Sequence, residues 1–214
     1  VRVTRPSLPA LMPTHPAPSF RPGSIVRVAC EHFVTYDAVE FRPGPHLNMI
    51  VGPNGTGKST VVCAIALGLG WKPSVLGRAK DVASYVKLGH SQGWVEIELQ
   101  GTESNVTIRR ILFRESNTSD WMLQGVPASA RQVHQAVSQF NIEVGNLCAF
   151  LPQDRVADFA AMTPSKLLQD TQHAAGHAQL SEWHAQLIDY GHQRAALDAR
   201  LEQEQKEHDH LEER

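Results

Sequence analysis

The sequence has little of what marks a secreted, membrane-embedded or cysteine-rich protein. It contains three cysteines, which are far apart and form no C-x-x-C pair, so we expect reduced core thiols in a cytosolic or nuclear protein. No apolar run approaches the roughly 18 residues that would cross a membrane, so we expect no membrane partner. The apolar residues near the N-terminus are interrupted by Pro6, Pro9, Pro13 and Pro16, so we expect no signal peptide.

Charge of either sign is also not in excess. The chain has 214 residues, 42% of them hydrophobic, and a formal net charge of −2, which suits one domain with a core plus an extension. This balance argues neither for nor against nucleic acid as a partner. Residues 1–22 are Pro-rich without periodicity, so we expect a disordered tail. Because the first residue is Val1, we expect the chain to be a piece of a longer protein.

The strongest pattern is a glycine-rich loop. It reads G-x-x-x-x-G-K-S, the P-loop pattern, over Gly52-Pro53-Asn54-Gly55-Thr56-Gly57-Lys58-Ser59-Thr60. Glycine permits the positive φ angles and the close backbone approach that a ring of N–H groups around a phosphate chain requires. Lys58 adds a positive charge for the β- and γ-phosphates, and the Ser59 hydroxyl is a hard oxygen ligand for Mg²⁺.

The flanks of the loop agree with this interpretation. The apolar run 46–51 predicts a buried strand, and the apolar run 60–70 predicts a helix that ends at glycine. The N-terminus of that helix would direct its N–H groups and its positive dipole at the anion. Together these segments predict a nucleotide site, although the loop alone does not say which kind of nucleotide protein carries it.

The remainder of the first 163 residues predicts a β-rich lobe with short helices. Alternating apolar and polar residues predict an antiparallel hairpin, which turns at the segment Thr35-Tyr36-Asp37, and then an antiparallel meander. The predicted strands are 24–30, 39–41, 94–99, 106–113 and 121–123. We expect short helices at 81–88 and 130–140, and a buried apolar run at 147–151.

The last quarter of the chain predicts the start of a coiled coil. Thr163-Pro164 is typical of a helix start, and about 45 residues of helix would extend for roughly 65–70 Å. A heptad seam runs through Leu180, Trp183, Leu187, Tyr190, Arg194, Leu197, Leu201, Glu204, His208 and Leu211. Because a single helix with an exposed apolar seam is unstable in water, a partner helix is implied. His173 and His177 lie four residues apart, and a solvated helix face explains them better than a metal site.

Cations cluster downstream of the loop. Lys72, Arg78, Lys80 and Lys87 lie close together in the sequence and form either a solvated surface loop or a phosphate contact. Together with Arg109 and Arg110, the last three of them motivate the hypothesis of a DNA-contacting face, whose affinity would fall steeply with salt. The sequence does not say whether these residues share one face.

Taken together, the P-loop behind a strand pair, a distant glutamine motif and the coil resemble the N-terminal half of an SMC (structural maintenance of chromosomes) ATPase head. The residues of these motifs are most similar to those of the fifth-type subunits of the SMC five/six complex. The segments that carry this likeness are G-R-A-K-D-V at 77–82, Y-V-K-L-G at 85–89, F-L-P-Q-D-R-V at 150–156 and T-P-S-K-L-L at 163–168.

The resemblance implies a fold class and a set of domains. The fold would be α/β, an ABC-type P-loop ATPase half-domain whose mixed sheet carries an antiparallel β-lobe, followed by the first helix of a long antiparallel coiled coil. Residues 23–163 would form the half-head and residues 164–214 the helix. The implied function is ATP binding in an SMC-type ATPase that entraps DNA in chromosome maintenance, repair and recombination.

The resemblance also implies roles for single residues. Gly52 to Thr60 would bind ATP, with Asn54 near the γ-phosphate, and Ser59 would bind Mg²⁺. Gln153 would be the Q-loop glutamine, which reaches Mg²⁺ and helps to place the attacking water, so that Lys58 and Gln153 would be the catalytic pair. Arg78 would be the R-loop arginine that approaches the phosphates, and Thr35 and the residues near it are weaker candidates for nucleotide contact.

One departure from the family pattern limits the activity expected of this chain. The sequence has no apolar strand ending in Asp-Glu, no Ser-Gly-Gly-type signature loop and no switch histidine. We therefore expect little or no turnover by this chain alone, since phosphoryl transfer depends on positioning and electrostatics. The implied partners are the C-terminal half of the same head, a sixth-type SMC subunit, kleisin-type and other non-SMC subunits, and DNA, in the nucleus on chromosomes.

Three alternatives remain at the level of sequence. Another coiled-coil ABC ATPase of DNA-break repair would keep Lys58 and Gln153. A kinase or transferase that is complete as it stands would turn over ATP as a monomer. A non-enzymatic binding module would not depend on Lys58 for nucleotide affinity.

Overall fold

The computed structural model describes residues 19–76, 79–140, 142, 145–175 and 178–212. Most of the tail expected over 1–22 lies outside the described residues. The chain divides into two compact units. One consists of Val1–Leu69 and Val82–Val133, and the other of Gly70–Asp81 and His134–Arg214.

One six-stranded antiparallel sheet forms the framework of the first unit. Its strand order is β2-β1-β3-β4-β5-β6, so the hairpin and the meander predicted from the alternating pattern join through β1 and β3. The strands are β1 (Ile25–Phe33), β2 (Tyr36–Phe41), β3 (Gln92–Leu99), β4 (Val106–Phe113), β5 (Ser119–Leu123) and β6 (Val126–Ala128). The prediction of a hairpin and a meander is confirmed, and every strand pair in this sheet is antiparallel.

Helix α1 (Lys58–Gly68) packs on one face of this sheet. That face is apolar because alternate strand residues point the same way, and the register aligns Val28, Ile97 and Ile108 as neighbours in a buried row. Gly68 lies so close to the sheet that a Cβ atom there would be 2.5 Å from Cγ1 of Ile97. The absence of a side chain at Gly68 therefore sets how closely α1 approaches β3.

The buried strand predicted just before the loop is wrong for the described structure. Residues 47–53 have no regular secondary structure, and Leu47, Met49 and Val51 are 91%, 78% and 77% exposed. The Asn48 side chain bonds to the backbone of Gly44 and to the carbonyl oxygen of His46, which holds this stretch as a loop. The physical reason is that an apolar strand needs neighbours, and none of the six described strands pairs with these residues.

The helix expected at 81–88 is replaced by a shorter element. A 3-10 helix covers Val82–Tyr85, and Val86 then pairs with Phe33 in an isolated β-bridge. The Lys87 N–H donates to the His32 carbonyl at 2.7 Å, and the Arg114 guanidinium donates to the Val86 carbonyl. The segment is thus attached to the end of β1, which competes with helix formation.

The second unit holds the remaining elements, except that α2 (Ala130–Ser138) begins in the first unit. They are 3-10 helices at Pro73–Leu76 and Gln153–Arg155, and helices α3 (Val156–Ala160), α4 (Pro164–Ala175) and α5 (Ala178–Glu212). The buried run predicted at 147–151 is wrong, because this stretch forms turns and Leu151 is exposed. Asn146 explains the turns, since its side chain accepts from the Cys148 N–H and donates to the Asp170 carbonyl.

The C-terminal helical region consists of two helices rather than one. Nδ1 of His184 in α5 lies 2.5 Å from Oε1 of Gln172 in α4, although twelve residues of continuous helix would separate them by about 18 Å. The helix start at Thr163-Pro164 is confirmed, with the Thr163 hydroxyl accepting from the Lys166 N–H. The 35 residues of α5 span about 52 Å and leave the seam leucines and Trp183 exposed, as the heptad pattern predicts. Among the described helices, none is long and apolar enough to span a bilayer.

Candidate functional site

The loop of residues 52–57 leads directly into α1 and is shaped as an anion cradle. Gly55 and Gly57 have φ angles of 84° and 95°, in the left-handed region that favours glycine. Gly57 is the N-cap of α1, and its carbonyl oxygen accepts from the N–H groups of Thr60 at 2.8 Å and Val61 at 3.3 Å. The first N–H groups of α1 have no helical acceptor and therefore face the loop.

Lys58 lies over this cradle. Its ammonium donates to the carbonyl oxygens of Gly52 and Pro53, both at 2.7 Å, while the Thr56 hydroxyl donates to Pro53 at 2.8 Å. The loop is thus closed on itself by its own lysine. The first turn of α1 carries no acidic residue, so the lysine and the helix dipole both favour an anion here.

A tyrosine that the sequence pattern did not single out also contacts the loop. Tyr36, the first residue of β2, donates its hydroxyl hydrogen to the Gly57 carbonyl at 2.9 Å. Its neighbour Thr35 has its hydroxyl 3.5 Å from that of Thr60, so the turn between β1 and β2 lies against the start of α1. The P-loop pattern has no position for Tyr36, and the sequence marks it only by its place in a turn beside Thr35.

The predicted site residues do not all fall in one unit. Gly52, Pro53, Asn54, Gly55, Thr56, Gly57, Lys58, Ser59 and Thr60 are together in the first unit. Gln153 is exposed at the start of a 3-10 helix in the second unit, and its role beside the loop stays a prediction. Arg78 lies outside the described residues. Within the described ranges no group of three His, Cys, Asp or Glu residues could hold a metal, which leaves Ser59 and Gln153 as the predicted Mg²⁺ ligands.

The proposed DNA-contacting set is corrected by the structure. Arg109 and Arg110 are consecutive on β4 and therefore point to opposite faces of the sheet. Arg110 is 8% exposed, donates to the Leu67 carbonyl at 3.1 Å and stacks on Trp121, and burial lowers its pKa to about 10. It stabilises the C-terminal end of α1 and is not available to a large ligand. Lys87 forms an ion pair with Asp37 at 2.6 Å, and Lys80 is exposed.

Arg109 belongs to a charge network on the outer face of the sheet. Glu96 accepts from Arg109 at 2.6 Å and from Arg27 at 2.5 Å, and Arg27 also pairs with Glu40 at 2.9 Å. The Arg109 guanidinium lies 4.3 Å from the centre of the Trp94 ring. Arg109 therefore has partners on the sheet, and the prediction that it contacts DNA stays a prediction.

Glu96→Gln is expected to make stability less dependent on pH in the acid range. Burial opposes ionisation of Glu96, but the hydrogen bonds from Arg27 and Arg109 outweigh it, so the pKa of Glu96 lies below its ordinary value. Such a carboxylate stabilises the fold above its unfolded pKa, and this contribution disappears as pH falls through the lower folded value. Urea unfolding between pH 7 and pH 3 should therefore show that the free energy of unfolding falls less steeply with pH in the variant than in the wild type.

Glu103→Gln, in the turn between β3 and β4, is the control for that measurement. It removes the same charge and leaves both arginine contacts of Glu96 intact. If Glu96→Gln and the wild type lost stability in parallel below pH 4.5, the network would not contribute to acid stability.

A family model described as an AAA domain matches residues 27–214. The chain is similar to structural maintenance of chromosomes protein 5 of Arabidopsis thaliana, with 45% identity over 172 residues. The match covers 79% of this chain and 16% of that protein, so the chain spans a small part of the relative's length.

Two solved structures share the fold. One comes from a study of ATP-driven dimerization and DNA-stimulated activation of SMC ATPases, with a TM-score of 0.61 and 20% identity, and the match covers 71% of this chain and 99% of that chain. The other is an Smc head domain with an extended coiled coil from Pyrococcus furiosus, bound to the C-terminal domain of ScpA. Its TM-score is 0.62 at 20% identity, with coverage of 80% and 47%. At these identities the likeness shows the fold alone.

The loop geometry, the family model and the relative agree on what kind of chain this is. The resemblance drawn from the glutamine motif and the coil is confirmed. The chain therefore belongs to the AAA domain family and is homologous to structural maintenance of chromosomes protein 5, with the fold of an SMC head.

Proposed function

We propose that this chain is the ATP-binding segment of an SMC-type ATPase head, which acts in chromosome maintenance, DNA repair and recombination by entrapping DNA. The observation that carries the proposal is the cradle itself. The loop has two glycines at positive φ, leads into a helix without acidic residues in its first turn, and has Lys58 over its carbonyl oxygens. Each of these features favours a chain of phosphates over other ligands.

Different residues of the loop would contact different parts of Mg-ATP. The N–H groups between Gly52 and Ser59 would surround the β-phosphate, Asn54 would lie near the γ-phosphate, and Lys58 would leave the loop carbonyls to pair with the phosphates. Ser59 is half-buried in the first turn of α1, where a hydroxyl suits Mg²⁺. Gln153 would complete the Mg²⁺ shell, and Arg78 would approach the phosphates. Bound Mg²⁺ would neutralise charge on the β- and γ-phosphates.

The first unit also has an apolar surface that a further segment would cover. Leu47, Met49 and Val51 are exposed directly before the loop, and a cavity of about 540 Å³ lies between Met49, Phe41 and Ile65 of α1. We propose that the C-terminal half of the same head packs here and pairs with residues 46–51. This would supply the acidic strand, the signature loop and the histidine that the chain lacks, so the chain alone is expected to turn over little ATP.

The wider assembly follows from the resemblance. We propose a sixth-type SMC subunit as the second head, with kleisin-type and other non-SMC subunits and DNA as further partners, in the nucleus on chromosomes. The exposed seam of α5 supports a partner helix in an antiparallel coiled coil. Turnover of many ATP molecules by the isolated chain as a monomer would contradict this and favour a self-contained kinase or transferase.

Lys58→Ala is expected to weaken ATP binding at least tenfold. The variant removes a charged donor whose hydrogen bonds to phosphate are each worth roughly 1.5–3 kcal/mol. The measurement is calorimetric titration of Mg-ATP into the full-length protein that the gene encodes. Lys206→Ala, on the exposed surface of α5, is the matched control and should bind as the wild type does. Unchanged affinity in Lys58→Ala would mean that nucleotide binds elsewhere or not at all.

A further inference from the structure

Tyr36 contacts the loop at the one peptide that joins it to α1. Its hydroxyl lies 2.9 Å from the Gly57 carbonyl oxygen. Its ring edge is packed on the Gly57 backbone so tightly that a Cβ atom on Gly57 would lie 2.6 Å from the hydroxyl oxygen and 2.8 Å from Cζ. These are two independent contacts, a directional hydrogen bond and a steric one, on the same residue.

The hydrogen bond from Tyr36 is one of three that hold the direction of the Gly57–Lys58 peptide. In a trans peptide the C=O and N–H groups point in opposite directions. The Gly57 carbonyl accepts from Tyr36 as well as from Thr60 and Val61 of α1, so it points into the helix. The Lys58 N–H consequently points out of the helix N-terminus, toward the space that the loop encloses.

Tyr36 is itself held from its other side. Asp37, the next residue on β2, forms an ion pair with Lys87 at 2.6 Å, and the Lys87 N–H donates to the His32 carbonyl at 2.7 Å. Tyr36 also pairs with Phe33 across the hairpin. The backbone that carries the phenol is therefore attached to the sheet and to the segment after Val82 without help from the loop.

The phenol remains a donor across the physiological range. Burial raises the pKa of Tyr36 above its ordinary value, so the hydroxyl keeps its hydrogen. A backbone carbonyl can only accept, which makes the direction of this hydrogen bond unambiguous.

We propose that Tyr36 is a positioning residue for nucleotide binding, which orients the Lys58 N–H toward the phosphates by holding the Gly57 carbonyl. This rests on the proposed function, since it assumes that the loop binds a phosphate chain. This role is distinct from direct contact with the adenine base of ATP. It acts through the backbone of Gly57 and needs the tyrosine hydroxyl, whereas contact with adenine would need the ring.

Two variants at Tyr36 separate the role of its hydroxyl from the role of its ring. Tyr36→Phe keeps the ring and loses the hydroxyl, whereas Tyr36→Leu loses both. In the full-length protein, Tyr36→Phe is expected to weaken binding of a fluorescent ATP analogue with Mg²⁺ about three- to tenfold, the factor that one neutral hydrogen bond contributes. KM for ATP should rise by more than kcat falls. In the bound state, exchange of the Lys58 backbone amide should become faster, a change that a general loss of stability would spread over α1.

Each other outcome overturns the inference. If only Tyr36→Leu weakens binding, the ring contacts the nucleotide and the hydroxyl has no role. If Tyr36→Phe lowers thermal stability and kcat with KM unchanged, its role is structural. If Tyr36→Phe binds normally while Lys58→Ala does not, this inference fails and the proposed function stands. If Tyr36→Phe and Lys58→Ala both bind the nucleotide normally, the proposed function fails as well.

Discussion

Gly57→Ala is expected to cause a large loss of nucleotide affinity, about thirtyfold or more. Gly57 has a φ angle of 95°, where a Cβ atom strains the backbone, and that Cβ would also overlap the Tyr36 hydroxyl. The strain costs about 1–2 kcal/mol and overpacking costs about 1–3 kcal/mol. Rotation of the Gly57 peptide would relieve the strain and would turn the Lys58 N–H away from the phosphates, whereas a shift of the Tyr36 ring would relieve the overlap alone.

Gly55→Ala separates strain from overlap. Gly55 has a φ angle of 84°, but a Cβ atom there would meet nothing within 4 Å. Its variant should therefore show the strain alone, with a loss of affinity about fivefold or more smaller than that of Gly57→Ala. Titration of Mg-ATP into both full-length variants makes the comparison, and equal losses would mean that the contact with Tyr36 does not matter. Adding Tyr36→Ala to Gly57→Ala should restore part of the affinity, because it removes the obstacle.

Local periodicity predicted the features that depend on neighbours in sequence. Strict alternation located β3 to within two residues, and the glycines of the loop predicted its positive φ angles. The same alternation also contained the burial of Arg110, since Ile108 and Leu112 on either side of it point to the core. The hypothesis that Arg110 is a surface cation overlooked this alternation, which places Arg110 on the same buried face of β4 as Ile108 and Leu112.

Other features depend on partners that the sequence pattern does not name. Residues 46–51 are apolar enough for a strand, yet a strand forms only beside another strand, and the described sheet offers them none. The resemblance pointed only to the residues near Thr35, and the contact of Tyr36 with Gly57 became visible when the fold brought β2 against the loop. Both features depend on contacts with residues that are distant in the sequence. The periodicity of a segment does not predict such contacts.

Gly68→Val is expected to destabilise the first unit, because it forces α1 away from the sheet. Valine favours a helix slightly more than glycine, by a few tenths of a kcal/mol. Against this, a Cβ atom at Gly68 would lie 2.5 Å from Cγ1 of Ile97 and 3.1 Å from Cγ1 of Val95, both buried on β3. Overpacking of this kind costs about 1–3 kcal/mol, occasionally more, so the unfavourable contact outweighs the propensity gain.

The consequence should reach the nucleotide site, because α1 is a rigid element. Gly68 lies ten residues from Lys58, about 15 Å along the helix, so lifting the C-terminal end from β3 tilts the N-terminal end that carries the cradle. Hydrogen exchange in the full-length protein should show faster opening of the α1 amides, together with weaker ATP binding. Gly191→Val is the matched control, since Gly191 lies within α5 with open space around it and should show no loss.

Ile97→Ala tests whether the contact with Gly68 is the cause. Alone it should be destabilising by about 2–5 kcal/mol, because it leaves a cavity in the core beneath α1. In the double variant the added valine methyl groups occupy that cavity, so the total loss should be smaller than the sum of the single losses by about 1 kcal/mol or more. Additive losses would show that Gly68 and Ile97 act independently, and that the approach of α1 to the sheet is set by other contacts.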